Sequence, residues 1–460
     1  MSNTATELTD LAPLRHPSPP LATAKGDDNG RRLGSHEDGA PVMETRDLPS
    51  PSTASPVVEK WNFPQSNIFR VFACFWSLMV TGANDAAYGA LLPYLQEYYK
   101  LDYLVVSLIF LSPFVGYIIA ASMNNFLHLR FGQRGIGIIC GAAHIAAYLI
   151  ISQHPPYPVL VVAYVIAGFG NGIGDAAWNA WVGNLARANE LLGFLHAFYG
   201  VGGTISPLIA TAMITQLGLQ WYHFYYVLLA ISVVELVACT WSFWANNATS
   251  YRESISHTDA GTKGALRSSL FTAPYARVTW VCSAFLVCYV GCEVSLGGWL
   301  VQFMIRVRDA APFDAGMTSV GFWLGLTLGR ATLGFVTPRI GVKIAVSAYL
   351  TLTMGLQLIF WLVPQFYVSA VAVALQGYFL GPLFPAIVVV ATALLPRHLH
   401  VSTIGFIAAF GGSGAAVLPF AVGAIAQAKG VQVLQPIILA FLVVLLGLWL
   451  CLPRLGKKRD

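Results

Sequence analysis

Asp85, Asp175, Glu293 and Arg330 stand inside stretches of chain that are otherwise apolar, and Glu235 is a fifth, more weakly placed case. A charged side chain at mid-bilayer costs at least ~2.5–3.5 kcal/mol on insertion scales, so such residues face a cavity, a partner or a pathway. Loss of solvent favours the neutral form of a carboxyl group, which suits a carboxylate in an apolar setting to load and release a proton. Asp85 and Glu293 are the candidates for that proton-coupling chemistry. Each is followed four residues on by a glycine, in Asp85-Ala86-Ala87-Tyr88-Gly89 and Glu293-Val294-Ser295-Leu296-Gly297. Arg330 cannot lose its proton, so it needs a carboxylate or a bound anion. Glu293, one apolar stretch earlier, is the first choice of partner among three acids. The plainer alternative is a fixed internal ion pair that holds helices together.

Around these charges lie groups suited to a polar ligand. The run from Gly170 to Trp181 carries Asn171, Asp175, Trp178 and Asn179, spaced four, three and one apart, which a helix sets on one broad face. Carboxylate, amide and indole together suit a hydroxyl-rich ligand, since rings cover apolar faces while amides and carboxylates take hydrogen bonds. Asn84 and Trp299 join this substrate-binding set, and His196, Gln302, Gln376 and Tyr378 are further candidates. The alternative is that the tryptophans anchor at the membrane interface and the asparagines bond between helices. That reading is favoured for Trp181, near the end of its stretch.

The elements that must position these residues are twelve apolar stretches near 69–95, 103–127, 134–152, 158–183, 191–216, 220–245, 275–303, 314–336, 342–363, 367–395, 402–427 and 431–452. Each is about the ~20 residues needed to span a bilayer as a helix. The second six repeat the first six. Asp85 and Glu293 are 208 residues apart. Arg130-Phe131-Gly132 and Arg339-Ile340-Gly341 are 209 apart, as are Gly168 and Gly172 from Gly377 and Gly381. Gly193-Phe194, Phe198, Gly200, Gly202 and Pro207 recur 212 residues on as Gly405-Phe406, Phe410, Gly412, Gly414 and Pro419. Four ordered sets at nearly constant offset point to an internal duplication. The glycines of spans 4, 5, 10 and 11 suit close packing or bending. The fold class is therefore all-α integral membrane, with twelve transmembrane helices in two pseudo-repeated six-helix bundles.

A content of 56% hydrophobic against 10% charged residues excludes an ordinary soluble domain. The expected organisation is a disordered cytosolic tail over 1–66, an N-terminal bundle over 67–245, a cytosolic linker over 246–274, a C-terminal bundle over 275–453 and a basic tail over 454–460. The tail lacks the apolar core and cleavage site of a secretory signal. The net charge of +5 reads as topology. With cytosolic termini, Arg130, Arg134, Arg187, Arg252, Lys263, Arg267, Arg339, Lys343, Arg397 and the C-terminal cluster lie inside. Lys100, Arg306, Arg308 and Lys429 lie outside. The glycosylation spelling Asn247-Ala248-Thr249 then falls in the cytosol. The seven cysteines read as apolar packing residues, none at metal-ligand spacing to a histidine, so no metal, cofactor or disulfide framework is expected.

These residues resemble the major facilitator superfamily. The resemblance covers about 69–452: twelve spans in two related halves, a long middle connection, and Arg-x-Gly after spans 2 and 8. The family's loop signature, Gly-x-x-x-Asp-Arg-x-Gly-Arg-Arg or Lys, keeps Gly334, Arg339, Gly341 and Lys343 in the second copy, with Pro338 at the aspartate position. The first copy keeps Arg130, Gly132 and Arg134, with Leu129 at that position. The acids of spans 1 and 4, Gly297-Gly298-Trp299 and Gly329-Arg330 resemble the fucose-permease-like branch, in a fungal-type member. The resemblance implies proton coupling and sugar binding at Asp85 and Asp175. It implies a monomeric, proton-coupled secondary transporter with a small-molecule substrate, working by alternating access in the plasma membrane or a vacuolar or other internal membrane. No nucleic-acid partner is expected. Efflux of a drug or secondary metabolite shares this architecture, and a non-transporting nutrient sensor is a further alternative. No nucleophile, metal or acid–base constellation points to an enzyme.

Overall fold

The computed structural model describes residues 59–256, 265–396 and 399–453. The expected N-terminal tail up to residue 58, the middle of the linker and the basic C-terminal tail lie outside the described residues. Among those described, the regular structure is helical apart from one isolated bridge between Lys60 and Phe63. In hydrocarbon every backbone N–H and C=O must pair within its own segment, and long apolar runs meet that demand as helices.

The helices are α1 (Ser66–Tyr99), α2 (Tyr103–Val106), α3 (Leu108–Ser152), α4 (Tyr157–Gly183), α5 (Ala188–Thr215) and α6 (Phe224–Ser242). Two short helices follow, α7 (Ala248–Ser256) and α8 (Ala265–Phe271). The second half has α9 (Tyr275–Val307), α10 (Pro312–Ile340), α11 (Val342–Leu362), α12 (Phe366–Leu380), α13 (Leu383–Leu394), α14 (His400–Gly412), α15 (Gly414–Lys429) and α16 (Leu434–Cys451).

Ten described stretches are long and apolar enough to cross a membrane. One of them, Tyr103–Ser152, has 50 residues, enough for two passes, and turns at Gly132. α1, with 34 residues, is long enough for a pass, and Asn84-Asp85 breaks its apolar run. The pairs α12–α13 and α14–α15 are each one pass, broken at Gly381-Pro382 and at Ser413. Twelve passes result among the described residues. Val162, Val237, Leu352, Val371 and Val443 point outward, as apolar side chains do when lipid is the solvent.

The repeated Arg-x-Gly loops are built alike. Gly132 has φ 66°, and a Cβ there would stand 2.3 Å from the Asn247 backbone, so only glycine fits. Two residues on, Arg134 lies 4.9 Å from the Trp244 ring, just past α6. In the second half Gly341 has φ 97°, and Lys343 lies 5.1 Å from the Trp449 ring and donates to the Leu452 carbonyl at 2.8 Å. In each half the base after the glycine thus clamps the end of that half's last helix. The residues that differ from the family's loop signature, Leu129 and Pro338, sit outside this clamp. The sequon asparagine Asn247 caps α7: its Oδ1 accepts from the backbone N–H of Thr249 and Ser250 at 3.0 and 3.1 Å.

α1 packs against α5 and α6 of its own half and against α9 of the other. Gly89 and Gly297 set the crossing of α1 with α9: a Cβ on Gly89 would stand 1.9 Å from the Gly297 carbonyl oxygen. Further contacts join the halves toward the end that carries Tyr103. Gln302 donates to Gln96 at 2.7 Å, and the backbone N–H of Tyr103 donates to Gln427 Oε1 at 2.9 Å. The Trp299 ring is 6.0 Å from both Tyr103 and Phe110.

Candidate functional site

The glycine crossing orients the acids. Asp85 precedes Gly89 by one turn and shares its face toward α9. Glu293 precedes Gly297 by one turn and shares its face toward α10, where Gly297 packs on Trp323 and Glu293 meets Arg330; Tyr199 of the first half lies within reach of both acids. The two carboxylates therefore flank the seam between the bundles, one from each.

Asp85 is held by three donors. Asn84 Nδ2 and Asn171 Nδ2 donate to Oδ1 at 3.1 and 3.2 Å, and the Tyr199 hydroxyl donates to Oδ2 at 2.9 Å. Asn84 also donates to the Tyr88 hydroxyl at 2.7 Å. Glu293 receives the guanidinium of Arg330, whose Nη2 is 3.0 Å from Oε1 and 3.3 Å from Oε2. Both side chains of this pair are nearly enclosed, 13% exposed for Arg330 and 7% for Glu293, so each charge depends on the other. Tyr199, from α5, lies within electrostatic reach of both Asp85 and Glu293. It is the side chain through which the two acids of the seam share surroundings.

On α4 the expected ligand face divides. Asp175 and Asn179 are partly open. Asn179 Nδ2 donates to Asp175 Oδ1 at 2.7 Å, and His196 Nε2 lies 3.1 Å from Asn179 Oδ1. The His196 ring is 5.9 Å from Phe384 of the other half and within electrostatic reach of Arg330. Asn171 and Trp178 turn instead into the N-terminal bundle. Trp178 is fully buried, stacks on Phe243 at 5.0 Å and donates to Ser77 Oγ at 3.0 Å. Trp299 is buried and donates to the Pro419 carbonyl at 2.9 Å. The structure thus brings Asp85, Asn84 and Asn171 together, sets Asp175 with Asn179 and His196, joins Glu293 to Arg330, and encloses the two indoles. Gln376 lies apart, bonded to Gln357 at 2.7 Å within the C-terminal bundle. Tyr378 accepts from Thr332 at 2.9 Å.

Sequence reasoning passed over His144 and Tyr199. His144 is completely buried. Its Nδ1 lies 2.7 Å from Glu235 Oε2, and its Nε2 lies 2.9 Å from Asn171 Oδ1. An ionisable residue amid Ala142-Ala143 and Ile145-Ala146-Ala147 carries the same signal that singled out Asp85. Tyr199 carries no such signal, because a tyrosine in an apolar helix is ordinary. The reading of the cysteines needs correction at one point: Cys140 and His144, four apart, share a face of α3 and form a group with Glu235 whose candidate ligand atoms lie within 4.8 Å of one another. The spacing is that of possible metal ligands, but the geometry fits a metal poorly. Two ligands of a tetrahedral ion at ~2.0 Å bonds stand about 3.3 Å apart. His144 and Glu235 are at 2.7 Å, closed on their own hydrogen bond.

Known proteins resemble this chain over most of its length. The family profile of the Major Facilitator Superfamily matches residues 74–318. "Bypass of stop codon protein 6" of Saccharomyces cerevisiae is 30% identical over 422 residues, covering 85% of this chain and 84% of that protein. A "Glucose/galactose transporter" of Brucella abortus is 25% identical over 391 residues, covering 80% and 90%. Among solved structures, a variant of the E. coli fucose:proton symporter FucP matches with a TM-score of 0.59 at 16% identity, covering 85% of this chain and 98% of that one. The fold is that of a membrane transporter rather than an enzyme.

Proposed function

The chain belongs to the major facilitator superfamily, and from that premise we propose that it is a proton-coupled symporter for a small polar solute of the sugar class, working by alternating access. The observation that carries the reading is Asp85: a carboxylate on the seam, inside a membrane protein, with three donors and no basic side chain bonded to it among the described residues. Such a group can exchange a proton without breaking an ion pair, whereas Glu293 cannot. Glu293 and Arg330 then serve as the charged counterpart across the seam. Asp175, Asn179 and His196, partly open at the same seam, supply acceptors and donors for hydroxyl groups. Asn84 and Asn171 act on Asp85, while Trp178 braces the N-terminal bundle behind them and Trp299 packs at the contact between the halves near Tyr103. The relative named as a glucose/galactose transporter and the fucose:proton symporter support the substrate class and the coupling ion.

With both termini cytosolic, the contacts of Gln96 with Gln302 and of Tyr103 with Gln427 close the outer side. Asp175, Asn179 and His196 then lie on the inward side of Asp85. Contacts that close the outer side, with Asp175, Asn179 and His196 partly exposed on the inner side, fit a state that opens toward the cytosol.

The test is uptake into proteoliposomes of labelled D-glucose, D-galactose, L-fucose and D-xylose, with and without an inward proton gradient. Gradient-stimulated accumulation of at least one sugar, abolished by a protonophore, is the expected result. Accumulation that ignores the gradient would overturn the coupling. Transport of none of the four, with gradient-driven movement of an amphipathic drug, would overturn the substrate class.

A further inference from the structure

One hydrogen-bonded chain runs through the N-terminal bundle and links α5, α1, α4, α3 and α6. It passes from Tyr199 to Asp85, Asn171, His144, Glu235, Ser77 and Trp178. Its polarity is fixed at the ends, because an indole N–H can only donate and an ionised carboxylate can only accept.

At one end an indole N–H can only donate, so Trp178 donates to Ser77 Oγ at 3.0 Å. The single hydroxyl proton of Ser77 is then free to go to Glu235 Oε1, 2.5 Å away. Glu235 accepts there, and its other oxygen lies 2.7 Å from His144 Nδ1. At the other end Asp85 takes the hydroxyl proton of Tyr199 on one oxygen and an Asn171 N–H on the other. An amide that turns its Nδ2 to Asp85 turns its Oδ1 away. That Oδ1 is the atom 2.9 Å from His144 Nε2. With Glu235 ionised, both ring nitrogens of His144 face acceptors; with Glu235 protonated, its hydroxyl would donate to Nδ1 of a neutral ring, an arrangement that nitrogen-15 NMR distinguishes from the first. A neutral imidazole has one N–H and could satisfy one of them; an imidazolium satisfies both.

We propose that His144 stands as an imidazolium between Glu235 and Asn171, and that it is the positioning residue that keeps the Asn171 amide turned with its N–H toward Asp85. His144, Glu235, Asn171 and Ser77 are all buried at 1% exposure or less, so no water competes for these bonds. The facing ionisable groups are accounted for. Glu235 from α6, Asp85 from α1, and Cys140 and Tyr148 from α3 itself face His144. Asp175 from α4, Tyr199 from α5, Tyr88 from α1 and Tyr117 from α3 face Asp85. Among the described residues the acid bonded to the imidazolium is Glu235, which balances the cation locally; His144 acts on Asp85 directly as a neighbouring charge and through the amide. The inference rests on the symporter reading only for what Asp85 does; the state of His144 and the turn of Asn171 can be read without any substrate.

Two spectroscopic measurements on the full chain in lipid nanodiscs test it. The first is nitrogen-15 NMR of histidine-labelled protein, with the His144 signal identified by its loss in His144→Gln. Both ring nitrogens are expected to carry a proton at neutral pH, and Glu235→Gln is expected to convert the ring to a singly protonated tautomer. A neutral His144 in the unmodified protein would overturn the proposal whether or not Glu235→Gln folds. Should His144→Gln misfold, the absence of any doubly protonated buried histidine from the unmodified spectrum would overturn it equally. The second is the infrared carbonyl band of the Asp85 carboxylic acid, identified by its loss in Asp85→Asn. In His144→Gln with Glu235→Gln, which removes both charges and leaves neither orphaned, the freed amide can turn its carbonyl to accept from a protonated Asp85. The pH profile of the band should then move by about one pH unit in favour of the protonated form. An unmoved profile would show that His144 and Glu235 only hold α3 to α6. A failure of sugar uptake would leave both measurements standing, so the two readings fail separately.

Discussion

Gly89 of α1 and Gly297 of α9, which occupy matching places in the two halves, meet backbone to backbone. A Cβ on the first would stand 1.9 Å from the carbonyl oxygen of the second. The two copies of the acid-x-x-x-Gly element each place a glycine at a helix contact. The glycine at 89 lets the leading helices of the two bundles cross, and Asp85 one turn earlier shares its face; the glycine at 297 makes room for Trp323 of α10, the helix whose Arg330 meets Glu293.

The crossing predicts the effect of a side chain there. Gly89→Val should force α1 from α9 and cost about 1–3 kcal/mol in the state in which they touch. Spin-label distances between the Tyr103 end of α2 and α15 should lengthen in the variant, and transport should fall. Unchanged distances with normal transport would mean that α1 and α9 do not need this contact.

Asp85→Asn keeps the shape of the carboxylate and its place among Asn84, Asn171 and Tyr199 but cannot carry a proton. Gradient-driven uptake should be lost, while exchange of labelled for unlabelled sugar at equal pH on both sides should persist in part. If gradient-driven uptake survives, Asp85 is structural and the proton path lies elsewhere.

Much of this site could be read from the chain because ionisable residues are conspicuous in apolar helices. Asp85, Glu293 and Arg330 each stood out for that reason. What stayed hidden was which helix faces which. Asn171 and Trp178 are seven residues apart, about 20° from alignment on a helix at 100° per residue, whereas Asp175 and Asn179 are turned roughly 40° and 80° from Asn171. A single ligand face seemed to hold all four. The structure puts the first two inside the bundle, against His144 and Ser77, and the second two at the seam. Similarly, nothing in the spacing of Cys140, His144 and Glu235 shows that α3 and α6 lie side by side, which is what makes Glu235 a partner.

The side of each loop follows from the arginine and lysine bias and twelve passes. Ser250 in α7 and Lys429 at the end of α15 are both exposed and belong to opposite sides of that topology. In a background without the exposed Cys451, Ser250→Cys should react with an impermeant maleimide only after the cells are opened. Lys429→Cys should react in intact cells if the protein resides in the plasma membrane, and from the lumenal side of isolated organelles otherwise. Labelling of both positions from one side would break the twelve-pass arrangement.

The Arg330–Glu293 pair offers the sharpest energetic test. Removing one partner of a buried pair leaves a lone charge and costs about 3–5 kcal/mol, whereas removing both can be close to neutral. Arg330 sits 3.0 Å from Glu293 with both side chains nearly enclosed, so that asymmetry should apply here. Arg330→Met alone should lower the melting temperature of the purified protein and its yield. Arg330→Met combined with Glu293→Gln should recover much of both. Transport separates the roles of the pair: if Glu293 and Arg330 only fasten α9 to α10, the recovered double variant will transport, and if they switch partners as the bundles move, it will be folded and inactive. The coupling reading expects the second outcome. A double variant no more stable than Arg330→Met would show that the guanidinium draws its stabilisation from elsewhere, with Tyr289 and Tyr199 as the neighbours to test next.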